Sequence, residues 1–149
     1  MKVIFLDFDG VLNSNTYFIN SKEKQPFFLE DEKMFLLNRI INETNAKIVL
    51  STSWREIWGT DLEIAKKLKE YFDSFNIEIF DVTQCINYDR PTEINTWLDN
   101  HYVDSFVILD DITGPWFNLE KNVVITNSDY QGLTENDVKK AVKILKEVV

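Results

Sequence analysis

Five short apolar runs alternate along the chain with longer stretches of helical period. Val3, Ile4, Phe5 and Leu6 form the first run. Lys47–Leu50 (KIVL), Ile77–Phe80 (IEIF), Ser105–Leu109 (SFVIL) and Asn122–Thr126 (NVVIT) follow. Runs of this length, rich in β-branched and aromatic residues and bounded by polar segments, predict strands. Between them, Asp31–Thr44 carries Met34, Leu37 and Ile41 on one face, with Phe35, Leu36 and Ile40 beside it. Thr60-Asp61-Leu62-Glu63 has capping-box form and precedes an amphipathic stretch with Leu62, Ala65 and Leu68 inward. Asp89-Arg90-Pro91-Thr92-Glu93 opens a further helix, with proline suited to its first turn and Ile94, Trp97 and Leu98 as the buried stripe. Thr134-x-x-Asp137 begins the last, whose inward residues are Val138, Ala141, Val142 and Leu145. Strands alternating with helices predict an α/β fold: a three-layer α/β/α sandwich around a doubly wound, mainly parallel five-stranded sheet. One domain over 1–149, with no separate cap, is the expected organisation.

Composition narrows the possibilities. The chain has 149 residues and a net charge of −9. A balance this acidic argues against a broad nucleic-acid surface, which needs a basic footprint. No apolar run approaches the roughly 20 residues of a membrane span. A basic segment leading into a long apolar stretch is missing at the N-terminus, so no signal peptide is expected. One cysteine, Cys85, excludes an intrachain disulfide and fits a reducing, cytoplasmic setting.

The chemistry-bearing residues gather where the apolar runs stop. The first ends in Asp7-Phe8-Asp9-Gly10. Two carboxylates two apart point the same way if the strand continues. They repel each other unless a cation lies between them, and a hard divalent ion such as Mg²⁺ suits oxygen ligands. The fourth run ends in a second acidic pair, Asp110-Asp111; alternation along a strand aims only one of them directly at a shared ion. The second ends in Ser51-Thr52-Ser53-Trp54-Arg55, whose hydroxyls and guanidinium suit a phosphate. Of the three arginines, Arg39, Arg55 and Arg90, the last two lie in loops that could face one site. Lys22 and Lys24, in the polar 14–30 excursion, could meet an anionic substrate, or that stretch could be a solvated loop. Cys85 is expected to be buried or inert, and His101, just past a helix, to be capping or solvated. In parallel sheets ligands bind beyond the C-terminal strand ends, which is where these groups converge.

The whole chain resembles the haloacid dehalogenase-like (HAD) superfamily of aspartate-nucleophile phosphatases. FLDFDGVLN is the specific part, supported by LSTSWR and VILDD in order. With EINTWL and the late GLT, the set is similar to the small branch named for Swiss Army Knife RNA repair proteins. The resemblance implies Asp7 as nucleophile and Asp9 as general acid and base. It implies Ser51, with Thr52, Arg55 and Arg90, on the phosphate, and Mg²⁺ held among Asp7, Asp9, Asp110 and Asp111. Asp111 is then the direct ligand and Asp110 acts behind it or through water. The superfamily usually has lysine at its third motif; none lies between Gln84 and Ser105, so Arg90 is the candidate.

The expected activity is Mg²⁺-dependent phosphomonoester hydrolysis through an aspartyl-phosphate, on nucleotides or polynucleotide ends. An uncapped site could admit a large substrate, with 14–30 as a partial lid, while the acidic charge favours small ones. Two other readings compete. A receiver-like signalling domain would carry its phosphoacceptor after the third strand, near Asp81; an idle HAD-fold binding module would keep the fold without the chemistry.

Overall fold

The computed structural model describes residues 1–16 and 27–147. Its elements run β1 (Lys2–Leu6), α1 (Asp31–Thr44), β2 (Lys47–Leu50), α2 (Glu63–Ser74), β3 (Ile79–Val82), α3 (Arg90–Asp99), β4 (Ser105–Asp110), β5 (Val123–Ile125) and α4 (Glu135–Lys146). Short 3-10 segments lie at Ser53–Glu56 and Phe117–Asn122. All strands are parallel, in the order β3-β2-β1-β4-β5. The chain winds outward from β1 to one edge, then crosses to β4 on the other side. The switch point therefore lies between β1 and β4, where a doubly wound sheet opens its ligand crevice.

Alternation along the strands divides the core in two. Ile4 and Leu6 of β1 join Ile48, Leu50, Val107 and Leu109 against α1, α2 and α4. Val3 and Phe5 join Val49 and Ile108 against Ile94 and Trp97 of α3. Each such side chain contributes roughly 1.5–3 kcal/mol on full burial. The central strands are thus anchored on both faces by buried apolar side chains. No cap domain lies over them among the described residues, and no described helix is long and apolar enough to cross a membrane.

Several boundaries differ from the sequence pattern: the fourth strand runs on to Asp110 rather than ending at Leu109, and the fifth spans Val123–Ile125 rather than Asn122–Thr126. The third strand spans Ile79–Val82, not Ile77–Phe80. Asn76 is left-handed (φ 57°), its N–H donates to the Asp73 carbonyl, and the Ile77 N–H donates to the Phe72 carbonyl. That bond pair closes α2 in a Schellman cap, so Ile77 serves the helix before the strand can start. The Thr60–Glu63 capping box does not form. Leu62 is the N-cap of α2, and the Thr60 hydroxyl donates to the Ile57 carbonyl and accepts the Leu62 N–H. The box at Thr134 is present with both reciprocal bonds.

Candidate active site

The parallel ladder continues past the strand ends and carries the acids with it. The Asp7 N–H donates to the Leu109 carbonyl at 3.1 Å, and the Ser51 N–H to the Leu6 carbonyl at 3.0 Å. Asp7, Asp110 and Asp111 are thereby brought together: one carboxylate oxygen from each lies within 4.8 Å of the others. Asp110 is fully buried and Asp7 nearly so. Alternation does not separate Asp110 from Asp111, because β4 ends at Asp110 and the chain bends at Asp111. Gly10 makes room for them. It sits at φ 85°, and a Cβ there would come within 2.9 Å of the Asp111 Cβ.

Three carboxyls this close disfavour ionisation. Asp7 is pushed up to about 7, first by burial and then by the Asp110 charge; Arg90 and the Thr52 hydroxyl pull it down, and Asp111 adds to the rise. Asp111 is pushed up to about 6, again by burial first and Asp110 second. Arg90, at the first position of α3, is the built-in counter-charge. Its Nη1 donates to Asp110 Oδ2 and lies 3.6 Å from Asp7 Oδ2. The remaining Asp110 oxygen accepts the Ile112 N–H. Three converging carboxyls form an all-oxygen donor set that fits a hard divalent cation, whose charge would favour their ionised form.

Ser51 and Thr52 are fully buried at the tip of β2. Among the described residues, the Ser51 Oγ is one of three buried side-chain atoms without a hydrogen-bond partner. An orphaned buried donor at the end of the crevice marks a place for an acceptor.

Asp9 and Arg55 depart from expectation. Asp9 is not in the acidic cluster. The strand stops at Leu6, and the chain turns at Phe8, whose carbonyl accepts the Val11 and Leu12 N–H groups. Asp9 is therefore exposed rather than paired with Asp7. Its Oδ1 accepts from Asn13 Nδ2 and its Oδ2 from Trp54 Nε1, each at 3.1 Å. Arg55 does not present its guanidinium to the crevice as a free anion grip. Its Nη1 and Nη2 are bound to the two Glu93 oxygens at 2.8 and 2.9 Å, with both side chains buried. Burial works to lower its pKa, and the bonds to Glu93 and Cys85 outweigh that and leave it raised. Lys22, Lys24 and most of the 14–30 excursion lie outside the described residues.

The remaining candidates settle simply. Cys85 is exposed, not buried. His101 Nδ1–H donates to the Trp97 carbonyl at 2.7 Å and its ring stacks on Trp97, a helix-end capping role. Asp81 sits on the edge strand and accepts from Trp97 Nε1, away from β1. Trp54, Asn13 and Glu93 take part in the site without a spacing that marks a role for them in the sequence. Only a polar residue embedded in an apolar stripe, Glu93 beside Ile94, hinted at one of them.

Carboxylates from adjacent strand tips, a buried hydroxyl and an arginine at the switch point of a five-stranded parallel sheet define a HAD-like Rossmannoid protein. Residues 3–138 match the model of the HAD domain in Swiss Army Knife RNA repair proteins, and the chain belongs to that family. No curated protein and no solved structure matched it. HAD domains are generally phosphate-ester hydrolases that use a divalent metal, which agrees with the acidic cluster seen here.

Proposed function

We propose that the chain is a Mg²⁺-dependent phosphomonoesterase that works through an aspartyl-phosphate on Asp7. The observation that carries this reading is the meeting of Asp7, Asp110 and Asp111 within 4.8 Å, one of them at the tip of the central strand. The orphaned Ser51 hydroxyl supports it from the substrate side.

Asp7 Oδ1 accepts the Phe8 N–H at 2.9 Å, and Oδ2 is the atom assigned to attack. It forms the new bond to phosphorus as the ester oxygen departs, and Asp9 gives its proton to that oxygen. Asp9 then takes a proton from water, whose oxygen attacks phosphorus. The Asp7–phosphorus bond breaks, releasing phosphate and restoring both acids. Ser51 and Arg90 bind the phosphoryl oxygens and steady their charge. Asp7, Asp110 and Asp111 would hold the cation, with Asp111 the more accessible because Asp110 is already bonded on both oxygens. When bound, the cation offsets repulsion between carboxylate and phosphate.

The family takes its description from RNA repair proteins, which favours phosphates of nucleotides and polynucleotide ends. The net charge of −9 favours contact with a chain end over binding along its length. A panel of nucleotides, sugar phosphates and 3′- or 5′-phosphorylated oligonucleotides, assayed with Mg²⁺ against Asp7→Asn, tests the reading. Turnover by the wild type and none by the variant is expected. Equal rates from both proteins would remove Asp7 as nucleophile.

A further inference from the structure

We infer that Trp54 is the positioning residue for Asp9, holding the proton-transfer carboxyl in the orientation that serves the leaving oxygen; this rests on the phosphatase reading above. Asp9 is exposed and lies on a turn, where an aspartate is ordinarily free to rotate. Here each of its oxygens is tethered by a donor of fixed polarity. On one side stands Asn13, fully buried, whose Oδ1 accepts the Gly10 N–H at 2.8 Å and whose Nδ2 also reaches the Phe28 carbonyl at 3.2 Å. That tether is local, four residues along the same turn. The other comes from 45 residues away. Trp54 Nε1 reaches Asp9 Oδ2 at 3.1 Å, and an indole N–H can only donate.

Trp54 is well placed to be a rigid donor. It sits in the 3-10 segment Ser53–Glu56, whose N-cap Thr52 accepts the Trp54 N–H, and its ring packs partly buried against the main core. The same segment follows directly from Ser51. The turn that delivers the phosphate hydroxyl therefore also delivers the tether on the acid, and sets their relative geometry. A half-buried tryptophan commonly finds some acceptor for its N–H. An exposed bond of this kind adds little stability. Its effect lies in removing rotamer freedom from a group whose contribution depends on orientation. Each carboxylate oxygen has two lone pairs, so one accepted N–H leaves room for the proton to be transferred.

Leaving-group dependence separates this from a packing role. Trp54→Phe keeps the ring and removes the donor. Its kcat/KM is compared with wild type on p-nitrophenyl phosphate, whose leaving group needs no proton, and on a phosphorylated oligonucleotide, whose alkoxide does. The quotient kcat/KM reports steps up to loss of the leaving group, so later hydrolysis does not enter. The expected result is a loss of about 10- to 100-fold on the oligonucleotide and under about 3-fold on the aryl ester. The ratio of the two rates is independent of how much of the sample is folded, so lower stability cannot imitate it. Equal losses on both substrates, or none on either, would overturn the assignment. A wild type inactive on both would instead overturn the phosphatase reading, and the assignment with it.

Discussion

Arg55 and Glu93 form a two-bonded ion pair buried between the loop after β2 and the first turn of α3. Glu93 also accepts the Ile86 N–H at 2.8 Å, and Arg55 Nη1 lies 3.3 Å from the Thr83 hydroxyl. The pair therefore joins the segments carrying Ser51 and Arg90, the two residues assigned to the phosphoryl oxygens. Breaking one partner leaves a bare charge in the core.

Arg55→Met or Glu93→Leu alone is expected to cost roughly 3–5 kcal/mol in urea unfolding. Arg55→Met combined with Glu93→Leu should cost clearly less than the two single losses together. Additive losses would mean that the two side chains do not act as a unit.

The acidic cluster makes stability depend on pH in an unusual direction. Asp7 has an ordinary value of 3.8 and is raised to about 7 in the fold, so between these limits the folded state binds more protons than the unfolded one. Raising the pH through that window then favours unfolding, and Asp111, raised to about 6, acts the same way. With a chelator present, the melting temperature is expected to fall from about pH 4 to about pH 7. Mg²⁺ should flatten this slope, and Asp7→Asn should reduce it. A chelated wild type with no slope across the window would contradict the cluster as drawn.

Arg90 touches both strand tips, so its loss should injure chemistry more than folding. Arg90→Ala is expected to lower kcat/KM about 100- to 1,000-fold, as for removal of a donor that stabilises transition-state charge. Arg90→Lys should recover only part, since an ammonium keeps the charge but not the planar fork. Steady-state kinetics on any substrate the wild type turns over will decide; full activity in Arg90→Ala would exclude it from the phosphate site.

Gly10→Ala places a methyl group against Asp111 in a left-handed backbone. The strain is expected to cost roughly 1–3 kcal/mol, and the displaced Asp111 should weaken Mg²⁺ binding. Calorimetric titration of Mg²⁺ into both proteins checks the second effect. Unchanged affinity would show that Asp111 is not needed to hold the ion.

Much of the fold is local information. Val3–Leu6, Lys47–Leu50 and Ser105–Leu109 are apolar over a strand's length because both faces of the sheet are covered, and the structure puts strands there. The period of Asp31–Thr44 marked α1 from end to end. Ile77 reads as strand in the sequence because one apolar residue serves equally well in a helix cap or a strand, and only the left-handed Asn76 decides between them.

The amino-acid order by itself determined which acids end apolar strands and where the helices between them lie, since burial leaves a periodic trace in neighbouring residues. Partner choice leaves no such trace. Asp9 turns to Trp54, Arg55 to Glu93 and Arg90 to Asp110 across 45, 38 and 20 positions. Those pairings exist because strand order and helix packing bring particular surfaces together, and side chains with equal charge then find unequal surroundings. Arg55 and Arg90 look interchangeable as text; one is sealed beside a glutamate and the other stands over two aspartates.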